Sequence, residues 1–292
     1  MREEVLLRHT IAPWCLPVTV RFDLGSYYRK PRTCIVIAPH PDDDVIGMGG
    51  TMRLRADKGW NVFSVYVTDG SSRIFKKPDL QYLRRNEALA ALKVVGARAG
   101  IFLDYKSGQI LQNLARLVHN LRDVLCYFMP REIYLPSPLE RHATHSVVTL
   151  AVIHAIKQVK NLRPRLWGYQ VWSDGYGFPD RKAVDISSAI ACKQKAVRQH
   201  RTQLKLKPYD TGIIGKNHYD AVFLHTHQKS TARYVELFVD LQPLLTGGEH
   251  SFFDALLQRI KNSLSVLLRI ETTGLTEPLL YPSPTKKNLG HD

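Results

Sequence analysis

The sequence has few cysteines. Cys15, Cys34, Cys126 and Cys192 stand far apart in 292 residues and form no CxxC pair. This argues against sulfur ligation of a metal and against a disulfide framework, and it favours a reducing compartment. No run approaches the ~18 uninterrupted apolar residues of a membrane-spanning helix, so none is expected. The first twenty residues are broken by Arg8, His9 and Pro13 and offer no apolar core for a signal peptide. Cys/His fingers, RNP-like aromatic strands and GXXG loops are also lacking, so no nucleic-acid partner is expected. There is no internal repeat and no low-complexity tract.

The chain does carry an excess of positive charge, +15 at pH 7, on an ordinary 44% hydrophobic content. The excess falls in two blocks. Residues 53–98 hold ten Lys/Arg against four Asp/Glu, and residues 157–207 hold twelve against three. Such blocks suit a phosphorylated substrate or an acidic membrane surface, or they simply solvate outer helix faces.

Apolar strand runs alternate with helical spacing along the chain. "TCIVIA", "NVFSVYVTDG", "AGIFLDY", "EIYLPSP" and "RLWGYQVW" read as strands. Between them lie helices over Asp44–Lys58, "LRRNEALAALKVVG", "ILQNLARLVHNLRDVLCYF" and "HSVVTLAVIHAIKQV". The alternation predicts an α/β fold, Rossmann-like, with a mostly parallel sheet and helices on both faces. Ligands of such sheets sit beyond the carboxyl ends of strands. "HPDDD", "TDGS" and "LERHATH" follow strands one, two and four at that rim. The expected organisation is an N-terminal extension over 1–32, one catalytic domain over 33–246 and a C-terminal segment over 247–292. In that last segment Phe253, Leu256, Leu257, Ile260, Leu264, Leu267 and Leu268 share a helical face. The face would pack on the body, join a second subunit or touch a membrane surface peripherally.

The chemistry concentrates in "APHPDDDVIGMGG". Three adjacent carboxylates, Asp42, Asp43 and Asp44, repel one another and have no packing value. They either cap a helix or belong to a metal site. His40 and Asp43 offer a nitrogen and an oxygen from one loop, and His145 offers a second nitrogen from the loop after strand four. Two His and one carboxylate form a catalytic zinc shell with a position left for water, and they also suit Fe²⁺. Asp42 would then be the general base and His142 the donor to an oxyanion or leaving amine.

These motifs together resemble the PIG-L/LmbE-like deacetylases. "APHPDDDVIGMGG" is similar to that family's A-H-P-D-D-E motif and "VTDGS" to its turn after strand two. "RRNEALAAL" is similar to its RxxE helix, and "RHATH" to its HxxH motif. "VDISSAIACKQKAVRQHRTQ" and "ARYVELF" are similar to later family elements. The resemblance covers roughly residues 33–240. It implies metal-dependent amide hydrolysis with one Zn²⁺ per chain, or another divalent ion such as Fe²⁺. His40, Asp43 and His145 would be the ligands, Asp42 the base, His142 the oxyanion or acid residue and Arg84 a substrate contact. The family's final Glu is here Asp44, and its Pro-Asp within HxxH is Ala143-Thr144. Lys106 in "KSG" stands where relatives often carry an acidic residue.

The expected activity is removal of the N-acetyl group from an N-acetylglucosamine-type sugar conjugate. An anionic glycoconjugate or glycolipid intermediate would be held by Arg84 and Lys106, in the cytoplasm or at the inner membrane face. The alternatives are an amidase for a larger acyl or thiol conjugate, and a non-catalytic sugar-binding module. Asp44 reads as a helix cap or as a partner of His40, Asp69 as a turn former and His200 as a structural hydrogen-bonding residue. His225 and His227 form an HxH pair on an expected strand.

Overall fold

The structure, a computed structural model, describes residues 32–71, 79–138, 140–172, 181–224 and 231–246. The expected N-terminal extension, the C-terminal amphipathic segment and the His225/His227 pair lie outside the described residues.

The first half follows the alternation in the sequence: β1 (Thr33–Ala38), α1 (Asp43–Asp57), β2 (Asn61–Thr68), α2 (Leu80–Val95), β3 (Ala99–Tyr105), α3 (Leu114–Phe128), β4 (Glu132–Pro136), α4 (Ala143–Gln158) and β5 (Arg165–Tyr169). Beyond the expected five strands come β6 (Arg181–Asp185), α5 (Ile190–Val197), α6 (Arg201–Leu204), α7 (Tyr209–Tyr219), β7 (Val235–Asp240) and α8 (Pro243–Thr246). The sheet runs β3-β2-β1-β4-β5-β7-β6. β3 through β5 are parallel, and β7 is antiparallel to both of its neighbours.

Both faces of this sheet are covered, as continuous apolar strands require. Side chains alternate along β1. Ile35 and Ile37 join the core under α3 and α4, while Cys34, Val36 and Ala38 join the core under α1, α2 and α5. On α3, Leu117, Leu121 and Leu125 recur at i, i+4 and are fully buried. Each such burial stabilises by about 1.5–3 kcal/mol. Ile110, expected inside this helix, is buried but precedes its first turn.

α1 is not one smooth helix. Met48 has non-helical angles, φ −148 and ψ 26. Beyond this kink the helix begins again, and its freed amides find an acceptor far along the chain. Glu236 on β7 accepts from the Gly50 N–H at 2.9 Å and the Thr51 N–H at 2.7 Å. The same carboxylate takes the Lys193 ammonium at 2.7 Å, both groups fully buried.

After β1 the chain crosses toward β2, and after β4 toward β5, on the opposite side of the sheet. The carboxyl ends of β1 and β4 therefore border a crevice where successive connections diverge. In open α/β sheets such a crevice holds the ligand.

Candidate metal centre

That crevice brings together His40, Asp43 and His145. Asp43 opens α1. His145 lies in the first turn of α4, with His142 at the N-cap, rather than in the loop expected from the sequence. The α4 N-terminus thus adds its partial positive charge beside the acidic triplet.

The three donor atoms form a near-equilateral triangle. His40 Nδ1 lies 3.1 Å and His145 Nε2 3.2 Å from Asp43 Oδ2, and the two nitrogens are 3.3 Å apart. A tetrahedral ion with bonds of ~2.0–2.1 Å has its ligand atoms about 3.3 Å apart. The residues therefore fit a small dication in spacing as well as in donor type, and this triad is a metal-capable group among the described residues. The electrostatics agree. Burial alone would lower the His145 pKa, yet the charges of Asp43 and Glu140 bring it up to about 10. Burial likewise would raise Asp43, but the two imidazoles hold its carboxyl well below the usual range. The cluster favours positive charge at its centre.

Each ligand is held from behind. The His40 backbone N–H donates to Asp43 Oδ2 at 2.8 Å. His40 Nε2 meets Ser107 Oγ at 3.3 Å, and Ser107 Oγ lies 3.4 Å from Thr144 Oγ1. His145 Nδ1 faces Glu140 Oε2 at 3.5 Å, and Glu140 accepts from the Val171 and Trp172 N–H groups, each at 2.9 Å. Such outer contacts fix ring orientation and ligand basicity. Ser107, Glu140 and Gln203 were not singled out by the sequence reading. Ser107 and Glu140 sit inside "KSG" and "LERHATH", and proximity in sequence to a strand end was the available signal.

Asp42 is buried beside this triad, and its Oδ2 accepts from Gln203 Nε2 at 3.0 Å. Burial first, then the Asp43 charge, raises its pKa to about 6. His142 packs edge-on to His40 with ring centroids 4.9 Å apart. Burial, then His40 and His145, push its pKa well down.

The remaining candidates are engaged within the protein. Arg84 is buried, donating to the Gly70 carbonyl at 2.6 Å and to Gln203 Oε1 at 2.7 Å. Lys106 is half exposed and pairs with buried Asp69. Asp69 also accepts from the Ser71 N–H at 2.8 Å, forming the expected turn. Asp44 differs from expectation. It neither caps α1 nor meets His40; its Oδ2 accepts from Ser64 Oγ and Tyr66 OH, both at 2.7 Å. Residues 64 and 66 share one face of β2, and burial raises the carboxyl of Asp44. His200 also differs, since both ring nitrogens are buried without a hydrogen-bond partner among the described residues.

Residues 35–156 match the family model PIG-L: GlcNAc-PI de-N-acetylase. Over that stretch the chain is similar to the PIG-L family. Among individual proteins, this chain is 24% identical over 231 residues to the diacetylchitobiose deacetylase of Thermococcus kodakarensis, covering 74% of this chain and 85% of that one. The N,N'-diacetylchitobiose deacetylase of Pyrococcus horikoshii has a similar structure, with a TM-score of 0.61 and 24% identity over 80% of this chain and 92% of that one. The 4-carboxy-2-hydroxymuconate hydratase GalB of Pseudomonas putida KT2440 has a TM-score of 0.60 at 18% identity, over 72% and 96% of the two chains. At these identities the structural likeness concerns the fold alone.

Proposed function

We propose that this chain is a metal-dependent hydrolase that removes the N-acetyl group from an N-acetylglucosamine-type sugar conjugate. The observation that carries the reading is the triangle of His40 Nδ1, Asp43 Oδ2 and His145 Nε2 at 3.1–3.3 Å, with a separate carboxylate, Asp42, next to it in the chain. The spacing favours one Zn²⁺ per chain, and the donor types also accept Fe²⁺. The diacetylchitobiose deacetylases among its relatives support an acetamido sugar as substrate.

When bound, the dication supplies Lewis acidity and lowers the pKa of water to roughly 7. Asp42 accepts a proton from the attacking water and returns it to the leaving amine. His142, a neutral imidazole at the α4 N-terminus, donates its N–H to the acetyl oxygen as negative charge builds there. The amide C–N bond breaks, and the products are acetate and the free amine.

The basic excess supports an anionic conjugate or glycolipid intermediate. Lys106 is the half-exposed cation next in sequence to Ser107, which touches His40. Arg84, by contrast, is buried and acts through internal contacts. A cytoplasmic enzyme is our reading of Cys34, Cys126 and Cys192, which form no disulfide among the described residues. Among the described residues, no helix is long and apolar enough to cross a membrane.

Acetate release from a panel of N-acetylated sugars, neutral and phosphorylated, with and without a chelator, tests the proposal. Larger N-acyl sugars belong in the same panel. Chelator-sensitive acetate release is the expected result. Release that survives complete metal removal, or hydrolysis of larger acyl groups alone, would overturn it.

A further inference from the structure

The Asp42 carboxylate is gripped by a chain of side chains that begins on α2. Arg84 Nη2 donates to Gln203 Oε1 at 2.7 Å, and Gln203 Nε2 donates to Asp42 Oδ2 at 3.0 Å. An amide side chain can face either way, and its orientation is set by its partners. Here the partners leave one choice. A guanidinium only donates, so the amide oxygen turns to Arg84 and the NH₂ turns to Asp42.

Both ends of the chain are fixed. Arg84 is anchored by a second donor, Nη1, on the Gly70 carbonyl at 2.6 Å. The approach depends on glycine. Gly70 has φ +72, and a Cβ there would lie 2.7 Å from Arg84 Cδ. Gln203 sits on α6, a four-residue helix that cannot hold its place alone. Glu87, one turn beyond Arg84 on α2, accepts from the Thr202 N–H at 2.9 Å and from Thr202 Oγ1 at 2.6 Å. Successive residues of α6 are therefore clamped by residues i and i+3 of one face of α2. The clamp on Thr202 sets the reach of Gln203, and the Arg84 guanidinium sets its polarity.

We infer that Gln203 and Arg84 are positioning residues for the Asp42 carboxylate. They hold Oδ2 so that Oδ1, which makes no hydrogen bond among the described residues, is the oxygen presented to the water. This rests on the proposed role of Asp42 as base. A carboxylate free to rotate about its terminal torsion would spend part of its time with neither lone pair aimed, and misplacement of a reacting group by about 1 Å can cost 10²-fold.

The test is a pair of double-mutant cycles on the metal-loaded protein. In the first, Gln203→Met should keep metal content and KM near wild type while kcat falls roughly 10–100-fold. In an Asp42→Asn background the same substitution should change kcat by less than about twofold, because Gln203 acts through Asp42. Arg84→Met should reproduce the kcat loss, and Arg84→Met/Gln203→Met should lose no more than the larger single. A kcat for Gln203→Met within twofold of wild type, or losses that multiply in the Asp42→Asn background, would overturn the inference. The second cycle reads urea unfolding of Arg84→Met, Gln203→Met and their double. Non-additive losses show the contact whatever the substrate, and additive losses refute it. If wild type releases no acetate from any sugar, the deacetylase reading falls. The stability cycle still decides whether the relay exists.

Discussion

Lys193 and Glu236 are both fully buried, yet their removal should cost different amounts. Glu236 serves three donors: the Lys193 ammonium at 2.7 Å and the Gly50 and Thr51 amides at 2.9 and 2.7 Å. Lys193 has Glu236 as its hydrogen-bond acceptor. Glu236→Gln strands a buried ammonium, which costs about 3–5 kcal/mol. The Gln oxygen can still satisfy one donor, but its NH₂ faces the others, adding roughly 1–3 kcal/mol. Lys193→Met leaves a carboxylate still holding two backbone N–H groups at a restarted helix end, and the Met chain fills the lysine stem's volume. That change should cost only about 1–3 kcal/mol. Urea unfolding with a common m-value reads the difference. Glu236→Gln should be less stable than Lys193→Met by at least roughly 2 kcal/mol. The double variant should regain stability over Glu236→Gln alone. Equal costs, or a Lys193→Met variant that is the less stable, would show that the amides above the Met48 kink do not depend on Glu236.

The metal centre yields its own expectations. His145→Ala should lose most bound metal, read by elemental analysis of the purified protein; full occupancy with full activity would remove His145 from the ligand set. Asp42→Asn should retain the ion and lose about 10²-fold or more in turnover, with His142→Ala losing roughly 10²-fold. Wild-type kcat in Asp42→Asn would discard Asp42 as base. Ser107→Ala and Glu140→Gln should weaken metal binding about 10–100-fold in competition with a chelating dye, and unchanged affinity would leave these contacts without a role. His200 gives a pH dependence. Burial and then the Arg84 charge lower its pKa to about 3, against ~6.5 unfolded. Between these values the unfolded chain binds a proton that the folded chain refuses, so stability falls with pH by about 1.4 kcal/mol per unit. His200→Leu should flatten that slope from pH 6.5 downward in metal-free protein, and parallel stability curves for the two proteins would contradict the assignment.

The ligands were legible in the sequence because each sits within a few residues of a strand end, where a parallel sheet puts its crevice. His40, Asp43 and His145 needed only strand order and direction to meet. Gln203 could not be found that way. It reaches Asp42 across 161 residues from a helix that the sequence reads as a continuation of "KQKAVRQHR". No Gly or Pro marks the break between α5 and α6; α6 is placed by the Glu87 clamp on Thr202, a tertiary contact with no local signature. Asp44 failed for a related reason. Capping, ligation and bonding to β2 differ only in the direction of one side chain, and the partners Ser64 and Tyr66 lie on the neighbouring strand, twenty or more residues on. The antiparallel edge formed by β6 and β7 was equally hidden, since both strands lie beyond the last regular βα repeat.

The glycines that follow the acidic triplet make the opening motif part of a larger unit of inheritance. A Cβ on Gly47 would lie 2.3 Å from the Tyr169 ring, and one on Gly50 would lie 2.8 Å from Ile186. Tyr169 in turn donates its hydroxyl to the Ile37 carbonyl at 2.8 Å, next to the strand end that carries His40. These glycines thus provide clearance for two bulky side chains, where a phosphate-cradling loop would use them to expose backbone amides. Transplanting residues 38–50 into another sheet would deliver the metal-ligating letters without their setting. A graft would have to carry the counterparts of Tyr169 and Ile186, more than a hundred positions downstream, to seat the helix on which Asp43 rides.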